Sequence, residues 1–177
     1  MLGAEDLRTL ATGRWTVPVL ALLAEEKGAR FARLVGGLDI PRESLVRTLD
    51  HVAAAGWVAR NPGHGHPLRP EYVLTPKGEM AGAACARMMV VRRRLDLAPT
   101  SLPRWSLPIL GRLEEDAARF SDLRERLSPV TPRALSLALQ HMVAGRVVAR
   151  RVDLGYPPTP LYGLAPPGRE LAASLRG

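Results

Sequence analysis

Apolar residues recur along this chain first at helical and then at strand spacing, and the cycle runs twice. Residues 15–24 form an apolar run in which Pro18 is tolerable only in a first turn, and Glu25, Glu26, Lys27 and Gly28 close it. A first helix is predicted there. Phe31, Leu34 and Val35 stand at i, i+3 and i+4, which predicts a short second helix terminated by Gly36 and Gly37. Ile40 leads into a third helix with Pro41 in its first turn. Leu45, Leu49 and Val52 share its inner face, and Arg42, Glu43, Val46, Arg47 and Asp50 are left facing out. Gly56 stops it. Residues 57–60 then read as a strand, 61–70 as a Pro- and Gly-rich loop, and 71–75 as the returning strand.

The second cycle follows the same grammar. Helices are predicted at 106–113, 120–127 and 132–144, strands at 147–151 and 161–165 around a loop at 152–160, and a last helix at 168–175. Three segments return in order about 90 residues apart. Arg14-Trp15-Thr16-Val17-Pro18-Val19-Leu20 returns as Arg104-Trp105-Ser106-Leu107-Pro108-Ile109-Leu110, and Arg30-Phe31-Ala32-Arg33-Leu34 as Arg119-Phe120-Ser121-Asp122-Leu123. The third, Tyr72-Val73-Leu74-Thr75-Pro76-Lys77-Gly78, returns as Tyr162-Gly163-Leu164-Ala165-Pro166-Pro167-Gly168. Such a unit is too long for a solenoid repeat and matches a small independent fold. Between the copies, residues 77–97 are helix formers, with Ala84, Met88 and Val91 at core-like spacing, and predict a helix of roughly 30 Å.

Helix, turn, helix and hairpin make a winged helix. The fold class is mainly α with small β-hairpins (α+β): two tandem winged helix-turn-helix domains, residues 1–78 and 100–177, joined by a connecting helix at 79–99. Trp15 and Trp105 are expected to pack each first helix against its hairpin.

The residues resemble the HxlR-type winged-helix transcriptional regulators, over nearly the whole chain and twice. The likeness is carried by the aromatic-led first helix (Arg14-Trp15-Thr16 and Arg104-Trp105-Ser106), the Arg-Phe-x-x-Leu second helix, and the Leu-x-x-x-Leu third helix leading to Gly56-Trp57-Val58. The Tyr-x-Leu-Thr-Pro-x-Gly exit from the wing completes it. Members of that family usually have one such domain and form homodimers through their terminal helices on inverted repeats, so the resemblance implies two protomers fused into one chain. The N-terminal cysteine that senses redox state in some members has no counterpart near residues 2–5.

Charge fits that expectation. There are 14 basic against 9 acidic residues through Leu95 and 11 against 8 after it, so the halves carry +5 and +3 of the total +8. A polyanion such as double-stranded DNA suits both halves, because each neutralised phosphate releases counterions. All the basic residues except Lys27 and Lys77 are arginine. A lone Cys85 forms no internal disulfide and suits a reducing cytoplasm, and no apolar stretch approaches the ~20 residues of a membrane span.

A recognition helix sets its N-terminal exposed side chains against base edges while flanking cations hold phosphates. In repeat one the candidates are Arg42, Glu43, Ser44 and Arg47, with Arg69 on the wing. Arg42 and Arg47 can make bidentate guanine contacts, and Glu43 can accept from a cytosine amine. Repeat two offers Arg133, Ser136 and Gln140. It departs at Leu137, which stands where repeat one has Arg47, and its 152–160 loop holds three prolines and no cation. It is read as the weaker DNA reader.

Cys85, Met88 and Met89 make a soft apolar face on the connecting helix and are candidates to line an effector pocket. His64 and His66 are read as wing residues, since no third metal ligand is near. His51 and His141, at matched positions, are ascribed to ancestry. No phosphate loop, nucleophile elbow or zinc motif is present, so neither enzyme activity, a cofactor nor a metal is expected. The reading is a cytoplasmic, DNA-binding transcriptional regulator. It acts as a monomeric single-chain pseudo-dimer on an imperfect inverted repeat and is released by a small molecule. The alternative is a ligand-binding or sequestering protein, or an enzyme, on a winged-helix scaffold that has lost DNA binding.

Overall fold

Each apolar cycle closes into its own core. The computed structural model describes residues 2–61, 71–98, 102–153 and 158–176. In chain order its elements are α1 (Ala4–Leu10), α2 (Thr16–Glu26), α3 (Phe31–Leu38), α4 (Arg42–Ala54), β1 (Val58–Arg60), β2 (Tyr72–Leu74) and α5 (Pro76–Arg94). There follow α6 (Ser106–Glu115), β3 (Ala118–Arg119), α7 (Phe120–Arg126), α8 (Pro132–Ala144), β4 (Val148–Asp153), β5 (Thr159–Leu164) and α9 (Pro166–Arg176). One unit is built around Thr12–Val90 and the other around Gly3–Ala11 with Val91–Ser174. The protein is therefore mainly helical, with a small antiparallel sheet in each of two tandem winged-helix domains.

In unit one, α2 buries Val19, Leu20 and Leu23, α3 buries Leu34, and α4 buries Leu45, Leu49 and Val52. The outward positions of α4 are exposed as the periodicity requires. Lys27, left-handed at φ 55°, ends α2 at the expected turn. The second helix differs from expectation. It passes through Gly36 and Gly37 and stops only at the left-handed Asp39, whose N–H bonds Val35 O. The reason is packing: a methyl group on Gly37 would lie 3.2 Å from Leu22 Cδ2, so the glycine lets α3 lie close to α2. Pro41 is the residue before α4 rather than its first-turn residue.

The wing closes in the same way in both units, which explains the repeated Tyr…Gly exit. In unit one Tyr72 exchanges hydrogen bonds with Ala29, Thr75 N–H donates to Trp57 O at 3.0 Å, and Gly78 lies against that carbonyl. A methyl group on Gly78 would stand 1.8 Å from Trp57 O. In unit two Tyr162 pairs with Ala118, Ala165 N–H donates to Val147 O at 3.0 Å, and a methyl group on Gly168 would stand 2.1 Å from Val147 O. Both glycines are fixed by a backbone that leaves no room for Cβ.

Two elements of unit two escape the sequence patterns. The helix α1 buries Leu7 and Leu10 and packs on α6, where Gly111 leaves room for the Leu7 side chain. It starts where Gly3 N–H donates to Asp6 Oδ2 at 2.9 Å. The two-residue β3 pairs with β5, making a three-stranded sheet of order β3-β5-β4. Strand pairing also extends through Asp153↔Thr159, so both ends of the loop expected at 152–160 are ladder. The connecting helix, expected at 77–97, ends at Arg94.

Candidate nucleic-acid interface

The third helix of each unit presents a polar face because its apolar residues are spaced to bury the other. On α4, Arg42, Glu43 and Arg47 are exposed and Ser44 is half-buried. The Arg42 guanidinium carbon lies 5.4 Å from the centre of the Phe31 ring, which steadies it at the corner between α3 and α4. On α8, Arg133 and Gln140 are exposed and Ser136 is half-buried, at i, i+3 and i+7 on one side. Leu137 stands among them 52% exposed. Arg69, His64 and His66 lie outside the described residues.

The helix starts differ. Thr131 caps α8, its Oγ1 accepting from Ala134 N–H at 3.2 Å, and Pro132 fills the first position. The residue at the matched place before α4 is Pro41, which has no side chain able to cap. The α4 start therefore keeps its N–H groups unsatisfied by a cap, next to Arg42 and Arg47.

On the wing of unit two, Arg150 and Arg151 are exposed on β4, opposite Tyr162 and Leu161. Reasoning on the loop alone missed them, although they directly precede it. On the wing of unit one, Arg60 pairs with Glu71 at 2.6 Å across the strand ends. Arg119 pairs with Asp153 at 2.9 Å in unit two, where α7 begins.

The sequence reading also missed a recess of about 390 Å³ in unit one, where the turn into α2 meets α4. Arg14, Trp15, Thr48 and His51 line it together with Ser44 and Arg47. The signal available was the i, i+3, i+4, i+7 spacing of Ser44, Arg47, Thr48 and His51 on one side of α4. Trp15 and Trp105 are half-buried, and the tryptophan in the core is Trp57, 2% exposed.

Cys85 and Met88 are buried on α5 and Met89 is half-buried. Burial pushes the Cys85 thiol up to about 12, against a small opposing pull from Arg87, so it stays a protonated, unreactive thiol at neutral pH. Among the described residues no three His, Cys, Asp or Glu side chains gather closely enough to hold a metal. Nor, among them, is any helix long and apolar enough to cross a membrane.

Comparison with a family model agrees with this geometry. The HxlR-like helix-turn-helix family matches residues 10–94 and again residues 102–177. Among solved structures, a protein of Enterococcus faecalis described as a transcriptional regulator of the MarR family is 27% identical. That match covers 48% of this chain and 77% of the other, with a TM-score of 0.43. A protein described as the HTH-type transcriptional regulator ytcD is 28% identical over 49% of this chain and 85% of its own, with a TM-score of 0.40. None of the curated proteins matches the chain.

Proposed function

Because the chain belongs to the HxlR-like helix-turn-helix family, with one match in each half, we propose that this DNA-binding transcription regulator supplies both readers of an imperfect inverted repeat from a single chain. The observation that carries the reading is the exposed Arg42, Glu43 and Arg47 face of α4 opposite the buried Leu45, Leu49 and Val52. That is the arrangement that lets a helix enter the major groove. Arg42, Glu43, Ser44 and Arg47 read the stronger half-site with Arg69 on the wing. Arg133, Ser136 and Gln140 read the weaker one. Arg150 and Arg151 hold phosphate beside it.

A second reading rests on unit two alone. Leu137 and Val152 are 52% and 55% exposed there, and an apolar side chain on a reading face suits either a thymine methyl or a protein or ligand surface. If the latter holds, unit one alone reads DNA.

Light scattering with footprinting tests the proposal. The expected result is a monomer that protects two half-sites, one of them dominant. A stable dimer at micromolar concentration that protects four half-sites, or none, overturns it.

A further inference from the structure

The recess of unit one has the chemistry of a ligand site. The half-buried Trp15 lines it. The Arg14 guanidinium carbon sits 4.8 Å from the centre of the Trp15 ring, and Arg47 and His51 line the recess from α4. Among the described residues that line it, none is a carboxylate. The walls thus offer an aromatic ring and positive charge. The volume is that of a small-ligand pocket.

The duplicated unit supplies an internal control. The positions matching Ser44, Arg47 and Thr48 are Ala134, Leu137 and Ala138, so the same corner of unit two has lost the arginine and both hydroxyls of the third helix while keeping Arg104, Trp105 and His141. Of those hydroxyls, the one on Thr48 donates to Ser44 O at 2.8 Å.

We infer that this recess binds a small planar carboxylate, its oxygens taken by Arg47 and its flat body lying against the indole. The site shares Arg47 with the DNA-reading face of α4, so an occupant competes with DNA for that cation. This coupling rests on the function proposed above; the binding itself does not.

The test uses the full chain labelled with nitrogen-15, whose three indole N–H signals come from Trp15, Trp57 and Trp105. The Trp15 signal is identified by its disappearance in Trp15→Phe. Benzoate is expected to move the Trp15 signal saturably and leave Trp105 in place, and Arg47→Ala, an exposed change that leaves the fold intact, should weaken this about tenfold. Benzamide and inorganic phosphate should leave the signal where it is. Saturating benzoate should weaken binding to a labelled operator duplex about tenfold.

A Trp15 signal that neither benzoate nor phenylacetate moves overturns the site. An equal response to benzamide overturns the role of charge, and an equal response to phosphate overturns the role of the ring. Saturable benzoate binding with DNA affinity unchanged overturns the coupling. If the protein binds no DNA but Trp15 still responds to benzoate alone, the site stands and the DNA-reading function fails.

Discussion

The two winged-helix units share a scaffold and differ in almost everything the scaffold displays. Both close the wing by a tyrosine paired to the alanine two residues before the second helix, and both set a glycine against a backbone carbonyl. Their third helices bury the same inner face, Leu45, Leu49 and Val52 in one and Leu135, Leu139 and Met142 in the other. Outside, Arg47 has become Leu137, Asp50 has become Gln140, and Pro41 has become the capping Thr131. The difference follows from energetics. Changes at buried or clashing positions cost several kcal/mol, whereas exposed ones mostly fall within about 0.5 kcal/mol, so after duplication the surface is free to diverge while the core is held.

The largest test of that contrast lies among the tryptophans of unit one. Trp57 is in the core and Trp15 is half-buried at the start of α2. Trp57→Ala should cost on the order of 3–5 kcal/mol in chemical denaturation. Trp15→Ala should cost clearly less, because its indole surrounds a recess rather than filling a core. Equal losses would mean that Trp15 is a packing residue like Trp57 and that the recess is not a separate feature.

Next in size is the pair of wing-exit glycines. Gly78→Ala and Gly168→Ala each place a methyl group within 1.8 Å and 2.1 Å of a carbonyl oxygen, a distance the backbone must move to relieve. Each should destabilise by about 3 kcal/mol or more, and by similar amounts. Thermal melts of the two variants check this. A loss at one position only would show that the wings of the two units are closed by different means.

How much of this was legible depended on the length scale of the constraint. The third helices were readable because Leu45, Leu49 and Val52 repeat strictly, and the helix Pro132–Ala144 falls on its predicted bounds. The terminator at Gly36 and Gly37 was misread, since glycine there answers to the side chain of Leu22 rather than to its own backbone. The helix α1 went unread because its apolar pair, Leu7 and Leu10, is too short a pattern to stand out without α6 to pack on. At the candidate interface, charge and face on α4 could be read directly. The recess could not, because it joins residues about 30 positions apart, from Arg14 to Ser44.

On the DNA side the contrast is Arg47 against Leu137. Arg47→Ala should weaken specific binding by about 1–3 kcal/mol and lower the salt slope, with melting unchanged because the side chain is exposed. The reverse change, Leu137→Arg, adds a cation to the face bearing Arg133 and Gln140 and should strengthen binding and steepen the slope by about one unit. Titrations at several salt concentrations separate the two effects. If Leu137→Arg leaves both quantities unchanged while Arg47→Ala acts as expected, unit two does not face DNA, and its exposed leucine belongs to another surface.

The smallest effect expected is at the helix starts. Thr131 Oγ1 satisfies one of the N–H groups that every helix leaves open, and removing a threonine cap typically costs about 1 kcal/mol. Thr131→Ala should therefore lower the stability of unit two by that amount, seen as faster amide exchange in the first turn of α8. Pro41 makes no such bond, so Pro41→Ala removes no cap and acts only by loosening the unfolded chain, at a cost below about 1 kcal/mol. Amide exchange in the first turn of α4 should then rise only as far as global stability falls. A large, local rise there would mean that the α4 start is held through Pro41 itself, and that its open N–H groups are not what sets the two reading helices apart.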